Sequence, residues 1–107
     1  VSATPGATAA LMLDATGERV AEAGASDERQ RLAAIYQGIM LAGARRALRR
    51  LPAGEIEYVL TRYEEQTLIL RPLRDGYFVV VTLGPGADVA RGIRRSATAQ
   101  DRMNEAM

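Results

Sequence analysis

Seven consecutive residues, Tyr77–Leu83 (Tyr-Phe-Val-Val-Val-Thr-Leu), are apolar in both alternating positions. A strand sends successive side chains to opposite sides, so this one belongs inside a sheet that is covered on both faces. Ala7–Asp14 ends in the same way, with Leu11, Met12 and Leu13 in a row. With 107 residues the chain can bury one core and not two, so both strands must share it. Everything else in the sequence has to be arranged around these two central strands.

The remaining pieces are marked by turn residues and by periodicity. After Thr4-Pro5-Gly6 and the first strand, Asp14-Ala15-Thr16-Gly17 turns the chain back into Glu18–Ala23. There Val20 alternates with charges, the pattern of an edge strand. Ser26-Asp27-Glu28 opens a helix with a cap and two acids at its positive end, and Pro52-Ala53-Gly54 stops it after about Leu51. Leu32, Ile35, Tyr36, Ile39 and Gly43 share one side of that helix and form its expected core stripe. Three strands follow: Ile56–Arg62, Thr67–Leu73 and Tyr77–Leu83, separated by the polar Tyr63–Gln66 and by Arg74-Asp75-Gly76, a tight-turn signal. Gly84-Pro85-Gly86 then releases an amphipathic helix over Ala87–Met107, with Val89, Ile93, Ala97, Met103 and Met107 near one face.

With two central and two edge strands, the simplest arrangement is an α+β domain spanning residues 1–107. Its five-stranded, mostly antiparallel sheet has the order 2-1-5-4-3. The long helix covers one face and the C-terminal helix the other. A single helix is too narrow for the whole second face.

Composition narrows the chemistry. The chain has no His, Cys or Lys, and all 14 of its basic residues are Arg. Thiolate nucleophiles and thiolate metal sites, imidazole bases, Schiff bases and phosphate-loop lysines are therefore unavailable. The inventory argues against an enzyme, against a metal site and against a cofactor. Paired carboxylates remain, but Glu55/Glu57 and Glu64/Glu65 sit on an edge and a turn with no apolar pocket around them. Gly84-Pro85-Gly86 lacks the spacing of a phosphate cradle and is read as punctuation. A net charge of +1 gives no field for nucleic acid or membrane, and no apolar run approaches transmembrane length. A cytoplasmic protein is expected, and arginine without lysine suggests a GC-rich bacterial genome.

The long helix carries more apolar surface than one sheet can cover. Ala34, Gly38 and Ala42 form a small-residue stripe that lets another backbone approach, while Leu41 and Leu48 lie away from the expected core stripe. The strand over Ile56–Arg62 has no proline to block edge pairing. Together these predict a two-fold homodimer, with an interface of Ala34, Gly38, Leu41, Ala42 and Leu48 from the helix and Glu57, Val59 and Thr61 from the edge. In the cluster Arg45-Arg46…Arg49-Arg50, Arg45 and Arg49 are candidate partner contacts, although the helix dipole also accounts for arginines there.

The chain also resembles the roadblock/dynein light chain family, and within it the bacterial MglB type of small-GTPase regulator. The residues that carry the resemblance are Pro5-Gly6-Ala7 leading into Ala10–Asp14 with Gly17, Arg31–Ile35, and Leu70–Val81. The resemblance implies a roadblock/profilin-like fold, paired central helices and a continuous sheet across a dimer. It implies a non-catalytic partner of a small Ras-like GTPase that regulates the nucleotide cycle or localisation. The alternative is a dimeric scaffold in a signalling or motor assembly without effect on GTP turnover. Family members usually begin with a helix before the first strand, which is absent from this chain.

Overall fold

The computed structural model describes residues 6–14, 16, 18–24, 28–48 and 55–106. The elements are β1 (Ala7–Leu13), β2 (Arg19–Gly24), α1 (Glu28–Leu48), β3 (Val59–Arg62), β4 (Thr67–Pro72), a 3-10 turn at Arg74–Gly76, β5 (Phe78–Leu83) and α2 (Val89–Ala106). The strands form one sheet of order β2-β1-β5-β4-β3, and every neighbouring pair is antiparallel. This is the predicted order, with the two all-apolar strands inside and the two mixed ones at the edges. The predicted helix cap at Ser26-Asp27 and the stop at Pro52-Ala53-Gly54 lie outside the described residues.

Local chemistry sets the boundaries. At the β1–β2 turn Asp14 accepts hydrogen bonds through Oδ1 from the backbone N–H groups of Thr16 and Glu18 and from the Thr16 hydroxyl. The β4–β5 turn needs left-handed backbone at Asp75 (φ 59°) and Gly76 (φ 82°), residue types that tolerate it. Asn104 of α2 accepts from Arg74 N–H in that turn. The Oδ1 of Asp88 accepts from Arg91 N–H at 3.1 Å and caps α2, so that helix begins at Val89.

Two apolar layers sandwich the sheet. Leu11, Leu13, Leu68, Leu70, Phe78 and Val80 face α1, while Ile69, Leu73, Val79, Val81 and Leu83 face the side of α2. α2 lies across β4 and β5 and leaves much of that face beyond its reach, as the width of one helix requires.

Val89, Ile93 and Met103 pack α2 onto this layer, and a polar cluster around Arg71 fastens it further. Arg71 interrupts the apolar run of β4 and is 5% exposed. Its Nε donates to Ser96 Oγ at 2.9 Å and its Nη2 to the Ile93 carbonyl at 2.7 Å. Its Nη1 reaches Gln100 Oε1 at 3.3 Å and the Glu57 carbonyl at 3.5 Å. The guanidinium also lies 4.9 Å from the centre of the Tyr58 ring. Desolvation lowers its pKa, and the nearby Tyr58, Glu57 and Asp101 oppose that shift. An arginine keeps its charge at any physiological pH, so this geometry carries no pH switch in that range. The same contacts explain why β3 starts at Val59 and not at Ile56. The Glu57 carbonyl turns to Arg71, and the segment before Val59 leaves the ladder. Pro72 is tolerated because β3, which pairs only from Leu70 to Thr67, does not extend alongside it.

Gly38 shows how closely α1 approaches. A Cβ built there would collide with Phe78 Cζ, whereas one at Gly43 would meet nothing within 4 Å. Gly38→Ala is therefore expected to lower the unfolding free energy by about 1–3 kcal/mol despite its gain in helix propensity. Gly43→Ala should raise it by roughly 0.5–1 kcal/mol. Urea denaturation followed by circular dichroism separates the two; equal effects of the same sign would refute the close approach.

Candidate interaction surfaces

The structure reverses the two sides of α1. Ala34 is 1% exposed and Leu41 4%, and Gly38 packs on Phe78, so these three residues face their own sheet. They cannot form an outer contact between helices. The residues of the expected core stripe point the other way: Leu32 is 44% exposed, Tyr36 62% and Ile39 61%, with Met40 at 59% beside them. The physical reason is Phe78. A ring rising from the central strand fills the space between sheet and helix, so small helix residues fit beneath it and the large ones are turned outward. Ile35 does meet the expectation and packs against the core.

The other predicted interface residues are dispersed. Ala42 is exposed. The side chains of Arg45 and Leu48, and the whole of Arg49, lie outside the described residues. Glu57 is exposed but precedes β3 instead of belonging to it. Val59 is half-buried against the core under α1, so only its backbone is at the margin. Thr61 is half-buried and donates to Gln37 Oε1 at 2.8 Å. Gln37, 2% exposed, also approaches the Tyr63 hydroxyl at 3.5 Å. Sequence reasoning missed Gln37 because a lone glutamine in a helix reads as a solvated position. It fixes which flank of α1 lies beside β3.

That flank can be read from helical spacing of about 100° per residue. Gln37 touches β3, so Met40 and Tyr36 lie toward the same side. Leu32 and Ile39 stand on the crest farthest from the sheet. Ala42 falls on the opposite flank, toward β1.

The two edges of the sheet differ in the same way. All six residues of β2 are exposed, and its register with β1 slips between Met12/Ala21 and Leu13/Arg19, leaving Val20 as a bulge. Arg19 and Glu22 form an ion pair at 2.7 Å on it. A bulged, charged edge resists further pairing. β3 pairs with β4 in unbroken register from Val59 to Arg62, and large apolar side chains stand exposed beside it: Tyr58, Leu60 and Tyr63 at 38%, 43% and 43%. Among the described residues no cluster of His, Cys, Asp or Glu could hold a metal ion. Among them also, no helix is long and apolar enough to cross a membrane.

The architecture is an α+β sheet with one regular edge at β3, beside a helix that carries apolar residues on two sides. The chain belongs to the Roadblock/LC7 domain family, whose model matches residues 1–82. Solved structures share the fold. The Roadblock/LC7 domain from Streptomyces avermitilis is 19% identical with a TM-score of 0.80, over 95% of this chain and 86% of that one. Myxococcus xanthus MglB is 14% identical with a TM-score of 0.81, over 94% and 82%. The gliding protein MglB from Thermus thermophilus is 15% identical with a TM-score of 0.81, over 95% and 78%. No curated protein sequence matches the chain.

Proposed function

We propose that the protein acts as a cytoplasmic homodimer that binds a small Ras-like GTPase and regulates its nucleotide cycle or localisation, contributing no catalytic residue of its own. The observation that carries the reading is the outer apolar side of α1, adjoining the one regular sheet edge. Exposed residues of this size in one continuous strip, next to an unpaired strand, are unfavourable in an isolated subunit. Pairing of β3 with β3 across a two-fold axis covers both, with Met40 and Tyr36 meeting their counterparts.

Two strands that pair must present like faces, so the axis passes through a residue and not between two. Centring on Leu60 sets Val59 opposite Thr61. The crest residues Leu32 and Ile39 stay outside this contact and form, with their copies, an apolar surface for the GTPase. MglB among the structural neighbours and family membership support a GTPase-linked role.

The test is single-turnover hydrolysis by Ras-like GTPases of the same organism, with and without the protein, together with co-sedimentation. A complex and a changed rate are expected, and Ile39→Asp should abolish both while leaving the dimer intact. A complex without any rate change would leave localisation as the role and remove control of the nucleotide cycle, and failure to form a complex with any such GTPase would remove the reading in favour of a scaffold.

A further inference from the structure

Like faces oppose one another whether a two-fold axis passes through Val59, Leu60, Thr61 or Arg62. The face rule therefore leaves several registers of β3 against its copy. Two of these are poor. An axis at Arg62 sets two arginines directly opposite, and one at Val59 sets Thr61 against Glu57, which lies outside the strand. Between Leu60 and Thr61 neither strand length nor charge decides. The choice falls to the α1 side of the strand, where Val59 and Thr61 stand.

Thr61 Oγ1 donates to Gln37 Oε1 at 2.8 Å, and Gln37 is 2% exposed, so the acceptor is held inside the subunit. That hydrogen bond commits the hydroxyl proton of Thr61. Facing its own copy, such a threonine sets acceptor against acceptor and gains nothing. Facing Val59, it presents a side chain whose donor is already satisfied to an apolar one. Gln37 Nε2 approaches the Tyr63 hydroxyl at 3.5 Å, which orients the amide along the same edge.

We propose that Gln37 sets the register of the dimer, an inference that rests on the pairing of β3 with β3. By engaging Thr61 it places the axis at Leu60, with Val59 opposite Thr61 in both halves of the seam. Gln37 is a positioning residue and acts through Thr61. A buried polar group in this position selects among pairings more than it strengthens any one of them.

The chain has no Cys, so introduced cysteines report the register. Directly opposed residues lie within disulfide reach, whereas residues offset by two along the strand stand roughly 7–8 Å apart. In glutathione buffer, Leu60→Cys should form a disulfide between the two copies of position 60. A mixture of Leu60→Cys with Arg62→Cys should give little of the bond that joins positions 60 and 62. Adding Gln37→Leu frees the Thr61 hydroxyl to pair with its copy, which moves the axis to Thr61 and sets position 60 opposite 62. The ratio of the second disulfide to the first should then rise at least about tenfold. Adding Thr61→Val as well should restore the first, because no hydroxyl is left to pair.

An unchanged ratio in Gln37→Leu, or no recovery with Thr61→Val, would overturn the assignment. So would loss of the dimer in Gln37→Leu without any cysteine, since the residue would then support the edge itself and not its register. Sedimentation of the cysteine-free parent separates the two readings. A dimer whose crosslinks ignore Gln37 removes only this inference, whereas a monomer removes the pairing of β3 with β3.

Discussion

Met40→Asp is expected to convert the dimer to folded monomers, raising the dissociation constant at least about 100-fold, an energetic cost near 3 kcal/mol. Met40 is 59% exposed on the flank of α1 that adjoins β3, so the substitution touches little of the subunit core. Inside a two-fold contact the same position faces its own copy. Each aspartate would then be desolvated beside a like charge, and the loss is doubled by symmetry. The helical circular dichroism signal of the variant should stay close to the parent's, which separates lost association from lost folding. Ala42→Asp serves as the control. Ala42 is equally helical and exposed, but it lies on the flank toward β1 and should leave the dimer unchanged. Sedimentation velocity at micromolar concentration decides between them. Equal sedimentation of parent and Met40→Asp, or a parent that is already monomeric, would defeat the pairing.

Arg71→Ala should lower stability by about 2–4 kcal/mol and loosen α2 first. The substitution leaves a cavity beneath α2 and removes every donor that Gln100 Oε1 and the Glu57 carbonyl have from this residue. The Ile93 carbonyl is less affected, because the Ser96 hydroxyl still donates to it at 2.9 Å. Arg71→Lys should rescue little. A single ammonium cannot serve acceptors that are arranged around the planar fork at Nε, Nη1 and Nη2. Arg71→Met should be the mildest of the three, since it keeps the aliphatic stem and abolishes the desolvation penalty of the charge. With no Trp in the chain, urea denaturation is followed by circular dichroism, and amide exchange along α2 locates the loosened element. Full stability in Arg71→Lys would show that charge alone suffices and that the fork geometry is immaterial.

Both experiments bear on features of unequal visibility in the sequence. The sheet order was legible because strand position follows from side-chain alternation. Leu11–Leu13 and Val79–Val81 have no polar face to show to water, so β1 and β5 had to lie inside. Val20 among charges had to lie at an edge. Turns were legible for an equally local reason: the left-handed backbone at Asp75 and Gly76 selects its own residue types. Arg71 was not. An arginine in a strand ordinarily reaches water, and the acceptors that hold this one inside come from α2, more than twenty residues further along the chain.

The orientation of α1 is the sharpest case. Its sequence carries two apolar stripes, one of Ala34, Gly38 and Leu41 and one of Leu32, Tyr36 and Ile39, and periodicity alone treats them as equivalent. The choice is made by volume. Phe78 projects from the central strand into the space where the helix must sit, and only a residue without a side chain can meet it at Gly38. Once that contact forms, the larger residues are carried to the outside. The sequence by itself determined the strand order, the turns and the presence of surplus apolar surface on α1. Only the tertiary structure decided which side of the helix carries that surplus, because the deciding contact joins residues forty positions apart.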